Sequence, residues 1–143
     1  MIYKVALGDT KQVFVIGCGG TGGFLAESLS RLLSKEITIT LIDHDRIEPR
    51  NLIRQNFYPD EVGLFKSEAL AKRLARLYGR TIRYSVYPYA PGYIYTRGGL
   101  IISCVDGAKG REAITDSARG WWIDTGNGYG HYDLRVRPEV VRR

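Results

Sequence analysis

Cysteine is scarce here: Cys18 and Cys104 are the only two among 143 residues. Two cysteines make no disulfide framework, and with no CxxC pair and no HExxH the chain supports no structural zinc. Histidine is as sparse, and neither His44 nor His131 has metal-ligand company in the sequence. No apolar run approaches the ~20 residues of a membrane span, and Met1–Val5 lacks a signal peptide's long apolar core. The expectation is a cytoplasmic protein with no membrane partner. Internal repeats, linkers and nucleic-acid recognition motifs are missing too, so nothing favours DNA or RNA as a partner. Acid is in short supply: 15 Asp and Glu stand against 21 Lys and Arg, a net charge of +6. Part of the excess lies in Lys66, Lys72, Arg73, Arg76, Arg80 and Arg83, which face Glu68 alone, and part in Arg135, Arg137, Arg142 and Arg143. The plain reading is a solvated helix face and a loose tail. The sharper one is a field that draws in an anionic ligand or an acidic protein.

What the chain has in plenty is glycine, and its placing is informative. Val13-Phe14-Val15-Ile16 runs into Gly17-Cys18-Gly19-Gly20-Thr21-Gly22-Gly23, and a helical pattern follows at once. Gly17, Gly19 and Gly22 fit the spacing G-x-G-x-x-G of a strand, tight turn and helix that receive a nucleotide phosphate. The helix start offers unpaired N–H groups and partial positive charge to an anion. A glycine-rich turn without a ligand would look the same, so the rest of the chain must decide.

At 143 residues, 44% hydrophobic and 25% charged, the chain suits one soluble domain with a real core. Ile2–Leu7 can form a short edge strand, and 12–17 is the first strand of the core. Leu25, Leu29, Leu32 and Leu33 recur at helical spacing, predicting a helix that ends near Ser34. Ile37–Ile42 is β-rich, and Asp43 closes it ~20 residues after the glycine turn, where an acid can accept hydrogen bonds from ribose hydroxyls. His44 to Pro59 reads as a long polar loop, a length that is usually functional or disordered. Asp60 to Gly79 is predicted to be the second helix, with Leu70, Leu74 and Leu77 as its buried stripe and Gly79 as its stop. Thr81–Val86 is the third strand. Pro88–Gly99 is a loop with Tyr87, Tyr89, Tyr93 and Tyr95 about it, read as covering the ends of a sheet. Leu100–Val105 is a strand buried on both faces, Asp106-Gly107 ends it, 108–118 forms a short helix, and 121–124 a fifth strand.

Strands alternating with helices predict an α/β fold: a Rossmann-like three-layer domain with a mainly parallel sheet in the order 3-2-1-4-5. In that order the first and fourth strands are neighbours, so the glycine turn and Asp106 flank one crevice. A nicotinamide-dependent oxidoreductase would need the glycine turn and Asp43 and little else. Three further stretches exceed that need: Asp43 through Asn51-x-x-Arg54-Gln55, Val62-Gly63-Leu64-Phe65-Lys66, and Cys104-Val105-Asp106-Gly107-Ala108-Lys109-Gly110-Arg111. They bring a carboxylate, a lysine and an arginine to a phosphate site, where Lys66 and Arg54 can neutralise charge on a triphosphate and Asp106 can hold Mg²⁺.

On these motifs, from about Lys11 to about Gly130, the chain resembles the ubiquitin-activating-type adenylyltransferases, the ThiF/MoeB family. The ending Trp122-Ile123-Asp124-Thr125-Gly126-Asn127-Gly128 is similar to a subgroup, the PRTRC-system ThiF proteins. The resemblance implies an ATP-binding adenylyltransferase domain over 1–130 and a basic tail over 131–143. It also implies a reaction: the C-terminal glycine carboxylate of a small ubiquitin-like or sulfur-carrier protein attacks the α-phosphate of ATP, and pyrophosphate leaves. Carried over, Gly17, Gly19, Gly20 and Gly22 shape the nucleotide cradle and Asp43 binds ribose. Asn51, Arg54 and Gln55 lie against the phosphates, Lys66 contacts phosphate oxygens, and Asp106 binds Mg²⁺. Family members usually dimerise, which implies a homodimer. The departures are specific. Gly107 stands where the family often has Asn. No cysteine follows Cys104, so no thioester step is expected. The family's second half is absent, and residues 1–11 offer only Lys4 and Lys11 for the arginine that a partner subunit usually supplies. A shortened module that binds nucleotide without turnover is the alternative, and an NAD-binding oxidoreductase domain the second.

Overall fold

The computed structural model describes residues 10–90, 99–117, 122–125, 127–128, 131–132 and 135–137. The expected edge strand Ile2–Leu7, Tyr93 and Tyr95 lie outside them. In chain order the elements are β1 (Gln12–Ile16), α1 (Gly20–Leu32), β2 (Thr38–Ile42), α2 (Lys66–Tyr78), β3 (Ile82–Ser85), β4 (Gly99–Ser103), α3 (Ala108–Ser117), β5 (Trp122–Asp124), β6 (Asn127–Gly128), β7 (His131–Tyr132) and β8 (Arg135–Arg137). Five strands run parallel in the order β3-β2-β1-β4-β5, as the alternating pattern predicts. β8 adds a sixth, antiparallel edge strand against β5, inside the stretch read from its charge as a tail. β6 and β7 form a separate two-stranded ribbon.

The central strands are apolar on both faces, and each face has its own core. Val13 and Val15 of β1, Ile39 and Leu41 of β2, and Ile102 of β4 pack with Ala26 of α1 and with Leu70 and Leu74 of α2. Phe14, Ile16, Ile42 and Ile101 point the other way and meet Ile114 of α3 and Trp122. α1 and α2 therefore cover one face and α3 the other, the three layers expected of a parallel sheet.

Leu25, Leu29, Leu33, Leu70 and Leu74 lie in or against the core as the periodicity predicts, and one leucine of each stripe does not. Leu77 and Leu32 are exposed. The fully buried face of α1 is made of small residues, Gly22, Gly23, Ala26 and Ser30, which let the helix lie close on β1, with Leu25 and Leu29 half-buried against the same core. α2 starts at Lys66, not Asp60. Pro59–Glu61 is a separate 3₁₀ turn, Gly63 has a φ of +90°, and Phe65 bridges back to Arg46, so the chain cannot be helical before Lys66. The stretch predicted as irregular loop contains a second 3₁₀ segment, Pro49–Ile53, whose box is closed by the Glu48 N–H donating to Asn51 Oδ1 at 2.8 Å.

Two basic residues counted as solvated are struts, Arg80 buried and Arg73 half-buried. Arg80, 7% exposed, donates to four carbonyls: Ser30 and Leu33 at 3.2 and 2.9 Å, Ser34 and Ile37 at 3.1 and 2.6 Å. It thereby ties the C-terminal end of α2 to the end of α1 and the approach to β2. Arg73 pairs with Glu61 at 2.8 Å and lies over the Tyr58 ring, pinning the 56–61 loop to α2.

Candidate functional site

β1, β2 and β4 end at the same edge of the sheet, and the order reverses between β1 and β4, so a crevice opens there. Three turns leave that edge together. The first is the glycine turn. Gly17 has a φ of +92°, and its N–H donates to Ile42 O at 2.8 Å, tying it to β2. A Cβ on Gly17 would lie 2.7 Å from Cys104 O, so the turn also presses on the exit of β4. A Cβ on Gly22 would lie 1.7 Å from Gly17 O: the first turn of α1 sits directly on the loop. Gly19 and Gly20 are different. A Cβ there would meet its neighbours only at ordinary contact distance, Gln55 Nε2 at 3.8 Å for Gly19, and Arg54 Nη1 at 3.6 Å and Arg54 O at 3.9 Å for Gly20. Their bare backbone faces a cleft. α1 has no side-chain N-cap and no acid in its first turn, which leaves its N–H donors for an anion.

The second turn follows β2. Asp43 Oδ2 accepts the Cys18 N–H at 2.6 Å and Oδ1 the Asp45 N–H at 2.8 Å, so the carboxylate braces the glycine turn. Burial raises its pKa; the two N–H donors oppose that, and neighbouring Asp45 adds to it. Lys66, the first residue of α2, is 7% exposed, with Nζ 3.5 Å from Asp45 Oδ2. Ser67 beside it is fully buried, its hydroxyl within reach of the carbonyls of Asp43 and Ser85, which fixes the start of α2 on the ends of β2 and β3. Arg54 and Gln55 follow the Pro49–Ile53 segment, and Gln55 Oε1 is buried without a hydrogen-bond partner.

The third turn follows β4. Asp106 is exposed on its tip. Its base is held by Arg111, whose Nε donates to Val105 O at 3.4 Å and lies 3.9 Å from Asp124 Oδ2. Cys104 lies at the cleft with Thr125 Oγ1 3.3 Å from its sulfur, and burial pushes its thiol up. Cys18 is fully buried in the glycine turn, and its thiol is pushed up by burial and then by Asp43.

Between the turns lies one cleft of about 620 Å³, in the range of small-molecule sites. Gly17, Gly19, Gly20, Asp43, Arg54, Gln55, Lys66 and Asp106 all line it. Gly22 supports it from below. Asn51 does not reach it: it lines a neighbouring recess of about 320 Å³ with Arg50, Arg54, Gln55 and Lys66. The cleft has two characters. Ile16, Ile42, Pro88, Tyr89, Val105 and Ile114 give an apolar wall suited to a base, and Arg54 and Lys66 give a cationic end suited to phosphates. Tyr89, expected merely to cover the sheet, packs on the α3-side core and walls the cleft. The sequence reading also missed Asp45 and the company of His44. One ligand atom from each of Asp43, His44 and Asp45 lies within 4.8 Å of the others. Asp43 is bound to backbone N–H groups and Asp45 to Lys66, so the trio is an internal network. Asp45 lies two residues past Asp43 at a strand exit, and no spacing rule distinguishes it there.

The sequence profile of the ThiF family matches residues 6–119. This chain belongs to the ThiF family. Ubiquitin-like modifier-activating enzyme 5 of Drosophila persimilis is 32% identical over 122 residues, covering 73% of this chain and 31% of the fly protein. The Aedes aegypti protein of the same name is 33% identical over 137 residues, covering 81% and 34%. The ThiF-family chain thus spans about a third of the length of these relatives. Among solved structures, TcdA (CsdL) superposes with a TM-score of 0.70 at 27% identity, over 86% of this chain and 53% of that one. The E. coli tRNA N6-threonylcarbamoyladenosine dehydratase TcdA, solved in complex with ATP, superposes with a TM-score of 0.67 at 25% identity, over 86% and 54%. No described helix of the ThiF-family chain is long and apolar enough to cross a membrane.

Proposed function

We propose that this chain is an ATP-dependent adenylation domain: it activates the C-terminal glycine carboxylate of a small ubiquitin-like or sulfur-carrier protein as an acyl adenylate. The carrying observation is the two-ended cleft, an apolar wall running into bare glycine backbone, Arg54 and Lys66. That polarity matches a base at one end and phosphates at the other, and one of the superposed relatives holds ATP.

In this reading the attacking carboxylate is already a nucleophile at neutral pH, so the protein need not supply a base. A carboxylate oxygen forms a bond to the α-phosphorus, and the bond from that phosphorus to the pyrophosphate oxygen breaks. Gly19, Gly20 and the start of α1 present N–H groups to phosphate oxygens. Asp43 has lone pairs left beyond its two backbone bonds to accept a ribose hydroxyl. Lys66 and Arg54 stabilise the charge that moves onto the leaving pyrophosphate. Asn51 Oδ1 is engaged with Glu48, so Asn51 offers the recess its amide N–H₂. Asp106 fits Mg²⁺: its carboxylate is a hard oxygen donor on the exposed cleft rim with no ion pair among the described residues. A Mg²⁺ held by Asp106 would supply neutralisation of phosphate charge. Both cysteines are held as high-pKa thiols, which favours adenylation without a cysteine thioester. The Trp122–Gly128 ending is the one feature that favours the PRTRC-system subgroup over its relatives.

The test is thermal unfolding with Mg-ATP, with ATP plus EDTA, and with NAD. A ligand at ~100 times its Kd adds about 2.7 kcal/mol, a shift of several degrees for a domain of this size. A rise with Mg-ATP that shrinks in EDTA, with none from NAD, is the expected result. A rise with NAD alone would overturn the proposal in favour of a dehydrogenase-like site. Pyrophosphate exchange with candidate carrier proteins then identifies the acyl partner.

A further inference from the structure

The recess beside the cleft carries more positive charge than the site described so far uses. Its lining is Arg50, Asn51, Arg54, Gln55 and Lys66, with no carboxylate among them. Three of these also line the cleft, so the two spaces adjoin at its cationic end. Arg50 belongs to the recess alone. It stands directly before Asn51 in the Pro49–Ile53 segment, whose backbone is fixed by the Glu48–Asn51 box. Its guanidinium is 79% exposed and forked onto Glu48, with Nε 2.6 Å from Oε2 and Nη2 3.3 Å from Oε1.

That pairing is exchangeable. Both partners stand in water, where an ion pair adds little and each ion is readily resolvated. A phosphate group offers the same planar fork a partner of matching geometry and greater charge. The box holds the backbone at the rim of the recess, so only the Arg50 side chain has to turn.

We propose that Arg50 is a binding residue for the distal phosphates of the nucleotide: it leaves Glu48 and takes phosphate oxygens when a triphosphate, or free pyrophosphate, occupies the recess. The inference rests on the ATP reading above and deepens it. Arg50 makes the recess a sensor of phosphate number, favouring ATP over AMP at the same cleft. Glu48 is its parking place in the empty protein.

The experiment is calorimetric titration of the full chain at fixed salt with ATP, AMP and inorganic pyrophosphate, for wild type, Arg50→Ala, Arg50→Lys and Glu48→Gln. Arg50→Ala is expected to weaken ATP and pyrophosphate about tenfold, the size of one charge-assisted hydrogen bond, and to leave AMP within about twofold. Arg50→Lys recovers only part of the loss, because a point charge lacks the fork. Glu48→Gln leaves ATP binding at the wild-type value or tightens it. Equal weakening of ATP and AMP by Arg50→Ala, no weakening of either, or a Glu48→Gln loss as large as that of Arg50→Ala would each overturn the inference. ATP binding that ignores Arg50 sinks this inference alone; a wild type that binds no ATP sinks the adenylation proposal and this inference with it. An unchanged melting temperature for Arg50→Ala shows that the fold is intact.

Discussion

Alanine substitutions at two glycines of one motif, Gly22 and Gly20, should behave in opposite ways. At Gly22 the new Cβ would lie 1.7 Å from Gly17 O, where real Cβ contacts are essentially never under 3.0 Å, so one backbone must retreat by more than 1 Å. Gly17 cannot retreat easily, because its N–H is bonded to Ile42 O and its other side abuts Cys104 O. Overpacking of this kind costs about 1–3 kcal/mol, and two rigid walls put Gly22→Ala at the upper end. For a chain of this size that lowers Tm by roughly 6–12 °C. The same retreat displaces the N–H groups aimed at phosphate, so ATP binding should fall with stability. At Gly20 the nearest atom to a Cβ is the mobile end of Arg54, 3.6 Å away. Gly20→Ala should stay within about 1 kcal/mol of wild type, since alanine is the better helix former. Its methyl stands on the cleft wall, however, and should weaken ATP about tenfold or more. Scanning calorimetry and ATP titration on the same samples separate the two. A Gly22→Ala protein that melts with wild type refutes the packing reasoning. A Gly20→Ala protein that binds ATP like wild type refutes the placing of the nucleotide.

Arg80→Met removes the donors of four carbonyls at the junction of α1, α2 and β2, and should cost about 3–5 kcal/mol in urea unfolding; a loss below about 1 kcal/mol contradicts the strut. Glu27 is held below the ordinary glutamate range by hydrogen bonds from Asn56 and Tyr78, against the opposing pull of burial. Its folded pKa is therefore depressed, so its contribution is complete above about pH 4.3 and is lost as pH falls through the lower folded value. Glu27→Gln should flatten the acid limb of Tm against pH, and superimposable limbs would show that the assignment is wrong. Arg54→Ala and Asp106→Ala should each abolish pyrophosphate exchange with Tm unchanged, because neither side chain makes an ion pair among the described residues; retained exchange in either removes that residue from the mechanism.

What the sequence made legible is what local chemistry dictates. The run from Val13 to Gly23 can hardly be anything but strand, turn and helix, and alternation then forces the sheet order that joins Gly17 to the exit of β4. What stayed hidden depends on partners distant in the chain. Nothing local separates Arg80 from Arg76 or Arg83; only the carbonyls at the end of α1, more than 40 residues away, make it a buried strut. The false start of α2 has the same origin. Asp60–Phe65 runs into the helical pattern without a proline, but the Arg73–Glu61 pair and the Arg46–Phe65 bridge fold it as a turn. Leu32 kept the period of a buried stripe and yet faces outward, because the fully buried face of α1 is made of its small residues. Arg135–Arg137 reads as tail because three residues are too few to show the alternation of a strand.

Among the described residues, the charged groups of the α1–α2 side and those of the crevice are satisfied to different degrees. On the α1–α2 side most are matched: Glu27 takes Asn56 and Tyr78, Arg73 takes Glu61, and Arg80 takes four carbonyls through Nη1 and Nη2, with its Nε left without a partner. At the crevice they are under-used. Lys66 is almost wholly buried with a single carboxylate at 3.5 Å, and the N–H groups opening α1 have no cap. Burying polar groups without partners is unfavourable, and a chain that satisfies such groups elsewhere has the means to do so here. The imbalance follows if an anion completes these groups. The sheet, the Asp43 brace and the Gly22 contact then hold unsatisfied donors in place before the ligand arrives, so they need no reorganisation when charge develops on phosphate. Lys66→Met tests this directly. It should raise stability or leave it unchanged while weakening ATP binding at least about tenfold. A large loss of stability would mean that the lysine is an internal ion-pair partner and that the crevice was complete without a ligand.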